Sequence, residues 1–104
     1  MMREKRRYIL VESANEIDEN SRKDFEFYFY SALLHSIGEI NYFKANPKII
    51  KYVDRKGFVL KCNLVMYKET LNALTFIKQL NKKDTAFYTI NASGTMKALA
   101  KQKQ

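Results

Sequence analysis

The rhythm of apolar and polar positions changes several times along the chain, and each change marks an element. Arg7-Tyr8-Ile9-Leu10-Val11 is rich in β formers and reads as a first strand. Glu12 to Asn20 is acidic and polar, a loop. Ser21 or Asp24 can cap a helix that runs to about Ile37, with Gly38 as its stop. Phe25, Phe29, Ala32, Leu33 and Ser36 fall on one face of it, and Phe27, Tyr30 and Leu34 almost opposite. A helix apolar on two sides cannot bury both against one sheet. The second side therefore predicts a protein interface, or a neighbouring loop folded over it.

Gly38 to Pro47 reads as a connector, and Lys48 to Val53 as a strand. Asp54-Arg55-Lys56-Gly57 is turn material that folds this strand back on the next as a hairpin. In that next strand Phe58, Leu60 and Cys62 share one face and Val59, Lys61 and Asn63 the other. An apolar face backed by a basic one suits the middle of a half-covered sheet. Tyr67 to Leu80 predicts a second amphipathic helix: Tyr67, Thr70, Leu71, Ala73, Leu74, Phe76, Ile77 and Leu80 make a broad apolar arc. Asn81 to Asp84 turns the chain, Thr85 to Ile90 is a final strand, and Ser93-Gly94-Thr95 leads into a short basic helix from Met96 to about Gln102.

The order is β-α-β-β-α-β with a tail helix, which predicts an α+β, ferredoxin-like (RRM-like) split βαβ fold. In that fold a four-stranded antiparallel sheet, in order 4-1-3-2, carries both helices on one face and leaves the other open. The expected domain is the whole chain, 1–104, with a basic arm at 1–6 and a basic C-terminal helix at 93–104. No internal repeat or linker interrupts it.

Length and composition agree with one domain: 104 residues, 46% of them apolar, with seven Tyr, seven Phe and no Trp. A single Cys excludes an intrachain disulfide and a multi-cysteine metal site, and points to a reducing, cytoplasmic setting. No apolar stretch has the length of a signal h-region or a membrane span, so no membrane is expected as a partner.

Charge changes the picture more. The net charge is +8, and it is unevenly spread: six Lys/Arg against eight Asp/Glu through Glu39, then thirteen against three. A folded domain with such a bias most often meets a polyanion, and nucleic acid is the first candidate. The alternative is a solvated basic surface on a protein–protein interaction module that touches no RNA.

Catalytic chemistry is poorly supplied. There is no nucleophile elbow, P-loop, dinucleotide loop or metal-ligand spacing. His35 and Cys62 are far apart in sequence, and each reads as a packing or surface residue. An acylphosphatase-like enzyme would need an Arg-lined phosphate loop after the first strand, and here that loop is acidic. RNA binding is better supplied. Lys56-Gly57-Phe58 imitates the start of the RNA-recognition strand K/R-G-F/Y-G/A-F-V-x-F/Y, but Leu60 and Asn63 replace its later aromatics, so no base-stacking platform is expected. Lys61 and Asn63, with Lys48 or Lys51 beside them, favour phosphate and shape recognition. Lys5, Arg6 and Arg7 form a basic arm suited to the RNA backbone. Ser93, Gly94, Thr95 and Lys97 read as a phosphate-binding helix start, with Lys101 and Lys103 nearby.

These residues resemble a family, the small protein component 2 of archaeal and eukaryotic ribonuclease P. The resemblance covers nearly the whole chain. It rests on Lys5-Arg6-Arg7-Tyr8-Ile9, Ile37-Gly38-Glu39, Pro47 with Ile49-Ile50, Leu60-Lys61-Cys62, Ala73-Leu74-Thr75 and Ser93-Gly94-Thr95-Met96-Lys97. It departs where the family usually has Arg and this chain has Lys61, in the Leu64 that follows the cysteine, and in Asn41 after the Gly-Glu pair. The resemblance implies a ribonucleoprotein that removes 5′ leaders from precursor tRNA. Its RNA would supply catalysis and hold the magnesium, the chain itself binding no cofactor and carrying no catalytic residue. The implied partners are ribonuclease P RNA, precursor tRNA through the complex, protein component 3, and a second copy of this chain within a heterotetramer.

Overall fold

The computed structural model describes residues 5–96 together with Leu99. Four strands make the sheet: β1 (Arg6–Ser13), β2 (Lys48–Tyr52), β3 (Gly57–Asn63) and β6 (Phe87–Ser93), in the order β2-β3-β1-β6 with every neighbour antiparallel. This is the expected split βαβ order. A two-stranded ribbon, β4 (Gln79–Leu80) and β5 (Lys83–Asp84), stands apart from it. Helices α1 (Arg22–Ile37) and α3 (Tyr67–Phe76) pack against one another on one face of the sheet.

The strand alternation read from the sequence sorts the side chains as expected. Ile9, Val11, Phe58, Leu60 and Cys62 point under the helices and meet Phe29, Leu33, Ala73, Leu74 and Phe87 in one buried cluster. Its centre is aromatic: Phe29 meets Phe58 and Phe87 edge-on, each at 5.3 Å between ring centres. Edge-to-face contacts at this spacing add about 0.5–1.5 kcal/mol per pair beyond simple burial. Phe58, which imitates an RNA-stacking aromatic in sequence, is fully buried here and faces away from solvent.

The segment between Gly38 and Pro47 is not a plain connector. Gly38 takes φ +85°, ends α1 by donating its N–H to the Leu34 carbonyl, and starts a second helix, α2 (Glu39–Ala45). Asn46, in the left-handed conformation, closes α2 just before Pro47. Two turns of helix are too short to display a period, so Gly, Asn and Pro dominate the reading of this stretch.

Helix α3 is also shorter than its apolar arc predicts. It ends at Phe76; Ile77 is extended and buried, while Phe76 is 74% exposed. Leu80 belongs instead to the β4–β5 ribbon, whose turn holds Asn81 and Lys82 both at positive φ. Such a turn normally selects glycine at its second position, and Lys82 hides that signal. The last strand starts at Phe87 rather than Thr85, whose N–H bonds the Lys78 carbonyl, and it reaches Ser93. The arm expected at 1–6 is likewise cut short, since Arg6 already lies in β1 and the Lys5 carbonyl accepts the Leu64 N–H at 2.7 Å.

The second face of the sheet is not fully open. Leu99 packs on Leu10 and Val59, with Tyr8, Val53 and Met96 around them. Met96 and Leu99 are both helical, and Leu99 covers the middle of the face.

Around the edge strand β2, polar groups are fixed to the helices. The Tyr30 hydroxyl accepts the Ile49 N–H at 2.8 Å, and the Tyr52 hydroxyl donates to Glu26 at 2.7 Å under the Arg22 guanidinium. Burial raises the pKa of Tyr30 and Tyr52, the Glu26 carboxylate adding to it in both, and burial also raises the Cys62 thiol against the opposing pull of Thr70 and Arg7. All three groups therefore fold in their neutral forms. Their contribution is complete below the unfolded pKa values, near 9 for the thiol and 10 for the phenols, and is lost as pH rises through the higher folded ones. The expected urea midpoint is flat from pH 7 to about 8.5 and falls steadily above about 9. A midpoint that climbs over that alkaline range would contradict this assignment.

Candidate nucleic-acid interface

At one end of the second face the register aligns four side chains from four strands. Lys48 at the start of β2 is directly opposite Lys61 of β3. Lys61 is opposite Tyr8 of β1, and Tyr8 is opposite Ser93 of β6. Paired residues of antiparallel strands project to the same side. Lys48, Lys61, Tyr8 and Ser93 thus form one row across the whole sheet. The row beside it, Lys51, Val59, Leu10 and Asn91, has the apolar middle that Leu99 covers.

Two lysines directly opposite each other repel and cost the fold stability. Neither Lys48 nor Lys61 has an ion-pair partner among the described residues, and the Arg22–Glu19 and Arg55–Glu16 pairs do not reach this row. An uncompensated pair of like charges is what a surface shaped for an anion presents. Lys5 and Arg6 extend the basic end, both exposed, with Arg6 next to Tyr8 along the same face.

Arg7 points the other way, opposite Cys62 on the helix side. Its guanidinium lies 3.1 Å from where a Cβ on Gly94 would stand, so the glycine leaves room for the arginine. Gly94 therefore meets Arg7 at the strand end, and Gly94 and Thr95 are both exposed. The Thr95 N–H donates to the Ser93 Oγ at 3.2 Å. Lys97, Lys101 and Lys103 lie outside the described residues.

Asn63 is drawn off this surface. It is 7% exposed and its amide donates to the Lys44 carbonyl at 2.8 Å, tying the end of β3 to α2. The expectation that it reaches RNA from an open face is corrected on that ground: the helix that occupies its donor was not legible in the sequence. Conversely, the sequence reading did not single out Tyr8. Strand parity and the hairpin register together carry that signal, since they put Tyr8 beside Lys61.

Of the three interface residues expected on α1, Phe27 is 66% exposed and Leu34 39%, but Tyr30 is half-buried and holds the β2 edge. Exposed Ile40 and Phe43 of α2 add apolar surface that the sequence reading assigned to a loop. His35 is exposed near the end of α1.

The opposite end of the molecule has another character. A cavity of about 410 Å³ lies beside the β1–α1 loop, lined by Glu16, Asp18, Asp24 and Lys83 among others, and one of about 860 Å³ by Glu16, Asp18, Glu19 and Asp54 together with Arg22 and Arg55. Carboxylates outnumber the basic groups in both, so this end suits a polyanion less than the Lys48–Lys61 end, which is the candidate interface. Among the described residues no group of three His, Cys, Asp or Glu side chains could hold a metal ion, and no helix is long and apolar enough to cross a membrane.

Comparison with known proteins agrees with this architecture. A chain in the cryo-EM structure of yeast ribonuclease MRP superposes with a TM-score of 0.66 over 99% of this chain and 94% of its own, at 9% identity, a likeness of fold. Ribonuclease P protein component 2 of Pyrococcus abyssi is 29% identical over 102 residues, covering 97% of this chain and 86% of the relative. The protein of the same description from Pyrococcus furiosus is 26% identical, covering 97% and 84%. The sequence model of the Rpp14/Pop5 family matches residues 7–103, from the first strand's basic start to the tail, and the chain belongs to that family.

Proposed function

We propose that this protein is a subunit of ribonuclease P that binds the enzyme's RNA and supports removal of 5′ leaders from precursor tRNA. The observation that carries the reading is the Lys48–Lys61 pair, an unneutralised double charge set across two strands at the basic end of the sheet. Family membership supports the assignment to this ribonucleoprotein. Lys5, Arg6, Lys48 and Lys61 neutralise backbone phosphates from the sheet face. Arg7 with Ser93, Gly94 and Thr95, continued by Lys97, forms a second phosphate contact at the strand end. Each neutralised phosphate releases condensed counterions, and this lets a compact RNA fold persist at lower magnesium. The RNA holds the magnesium and performs the cleavage; this chain supplies no catalytic group. It works in the cytoplasm.

The apolar side of α1 and α2, with Phe27, Leu34, Ile40 and Phe43 exposed, supports docking of protein partners. These are protein component 3 and, within a heterotetramer, a second copy of this chain. The test is cleavage of precursor tRNA by the matching ribonuclease P RNA at limiting magnesium, with and without this protein and component 3. Rescue of at least tenfold in rate by the pair is expected. Absence of rescue with folded partners that still bind each other would overturn the RNA reading in favour of an interaction module.

A further inference from the structure

Within the row Lys48–Lys61–Tyr8–Ser93 the tyrosine carries a group that no other described residue uses. Its ring is half-buried against the Leu10–Val59–Leu99 cluster, so its position is fixed by packing. Its hydroxyl has no hydrogen-bond partner among the described residues. The contrast with Tyr30 and Tyr52 is direct, since the fold ties both of those hydroxyls to named partners. A buried or half-buried phenol ordinarily finds a partner. Here the nearest neighbours across the strands are a lysine on one side and a serine on the other, with a second lysine one strand further.

Strands lie about 4.8 Å apart, so the row spans roughly 14 Å from β2 to β6. That is room for a short length of one nucleic-acid backbone running across the strands. Leu99, packed on Leu10 and Val59, borders the row on one side.

We propose that the Tyr8 hydroxyl donates a hydrogen bond to a phosphodiester oxygen of an RNA strand crossing the sheet, with the Lys61 and Lys48 ammonium groups on the same phosphate or the next. An O–H donor to an anionic oxygen is a short, charge-assisted bond, stronger than a neutral one. The two lysines supply charge without direction. The phenol, held by the cluster beneath it, fixes the register of the strand on the sheet. This inference rests on the RNA-binding reading above and names the path the RNA takes.

Neutral and charged contacts differ in their salt dependence, and this separates the two claims. The full chain is titrated against fluorescently labelled ribonuclease P RNA from the same organism, between 50 and 200 mM salt. Tyr8→Phe keeps the ring and its packing. It is expected to weaken binding about tenfold, with an unchanged Tm and an unchanged slope of log affinity against log salt, because a phenol displaces no counterion. Lys61→Gln is expected to lower that slope by about 0.7. If Tyr8→Phe binds as the wild type while Lys61→Gln does not, the hydroxyl contact is wrong and the RNA reading stands. If Tyr8→Phe is silent and Tyr8→Leu weakens binding, the position acts through its ring and not its hydroxyl, and the proposal is equally overturned. If Tyr8→Phe and Lys61→Gln both bind as the wild type, the RNA does not follow this row and the proposal is overturned; if the wild type itself does not bind, the RNA reading fails.

Discussion

Phe58→Ala is expected to destabilise the fold by about 4 kcal/mol, within the 3–5 range for fully buried aromatics. The residue has 0% exposure and stands at the junction of sheet and helices. Its ring meets Phe25, Phe29, Tyr52 and Phe87 at centre distances of 5.3 to 6.3 Å. Alanine removes all four contacts at once and leaves a hole bounded by β1, β3, α1 and β6. Four rigid rings cannot collapse into it without leaving their rotamers. A domain of this size has about 5–15 kcal/mol in total, so the variant sits close to unfolding at 37 °C. Phe58→Leu keeps most of the volume and is expected to cost under half as much. Urea denaturation reads both; equal losses for the two variants would show that ring packing is not what the position supplies.

The second large effect has opposite signs in two measurements. Lys48→Glu places a carboxylate directly opposite Lys61. The repulsive pair becomes an attractive one, worth roughly 0.2–1 kcal/mol to the sheet, and the Tm is expected to rise by a few degrees. Binding of ribonuclease P RNA should fall by about fiftyfold near 0.1 M salt, because the new glutamate both repels phosphate and neutralises Lys61. Gain of stability with loss of binding is the mark of a site kept for function at some cost to the fold. A variant that is more stable and binds RNA unchanged would remove Lys48 from the interface.

The fold was legible because β3 states its two faces plainly. Phe58, Leu60 and Cys62 alternate with Val59 and Lys61, and the hairpin turn at Asp54 to Gly57 fixes where pairing begins. The Asp54 carboxylate accepts the Lys56 and Gly57 N–H groups there, an Asx turn readable from the residue types. What escaped were elements decided by tertiary contacts. Helix α2 is two turns long and buries only Ala45, so its helical period never shows. Ile77 continues the apolar arc of α3 but fills the core as an extended residue, and the helix ends without a glycine or proline to mark it.

The site was legible in its charge and not in its geometry. Lys61 stood out beside Cys62, and the Ser93-Gly94-Thr95 turn stood out as a helix start. That Asn63 serves α2 depended on a helix the sequence did not reveal. That Tyr8 shares a row with Lys48 depended on combining two registers, β1 with β3 and β3 with β2, which no local window contains. The covering of the second face by Leu99 was missed for a related reason: a lone leucine in a basic tail gives no periodic signal.

Both outer strands carry an interruption in their pairing. Ile50 is the extra residue between Ile49 and Lys51 on β2, and Ile90 the extra residue on β6 where Leu10 gives way to Val11. Each is exposed, at 40% and 52%. A strand with such a break has no uninterrupted ladder to lend, so a second sheet cannot extend this one edge to edge in register. The lysines at 48 and 51 add repulsion on one of the two rims. A partner's sheet is therefore expected to meet this protein through its helices and faces, not along its edges. Whatever it assembles with, the sheet ends at four strands.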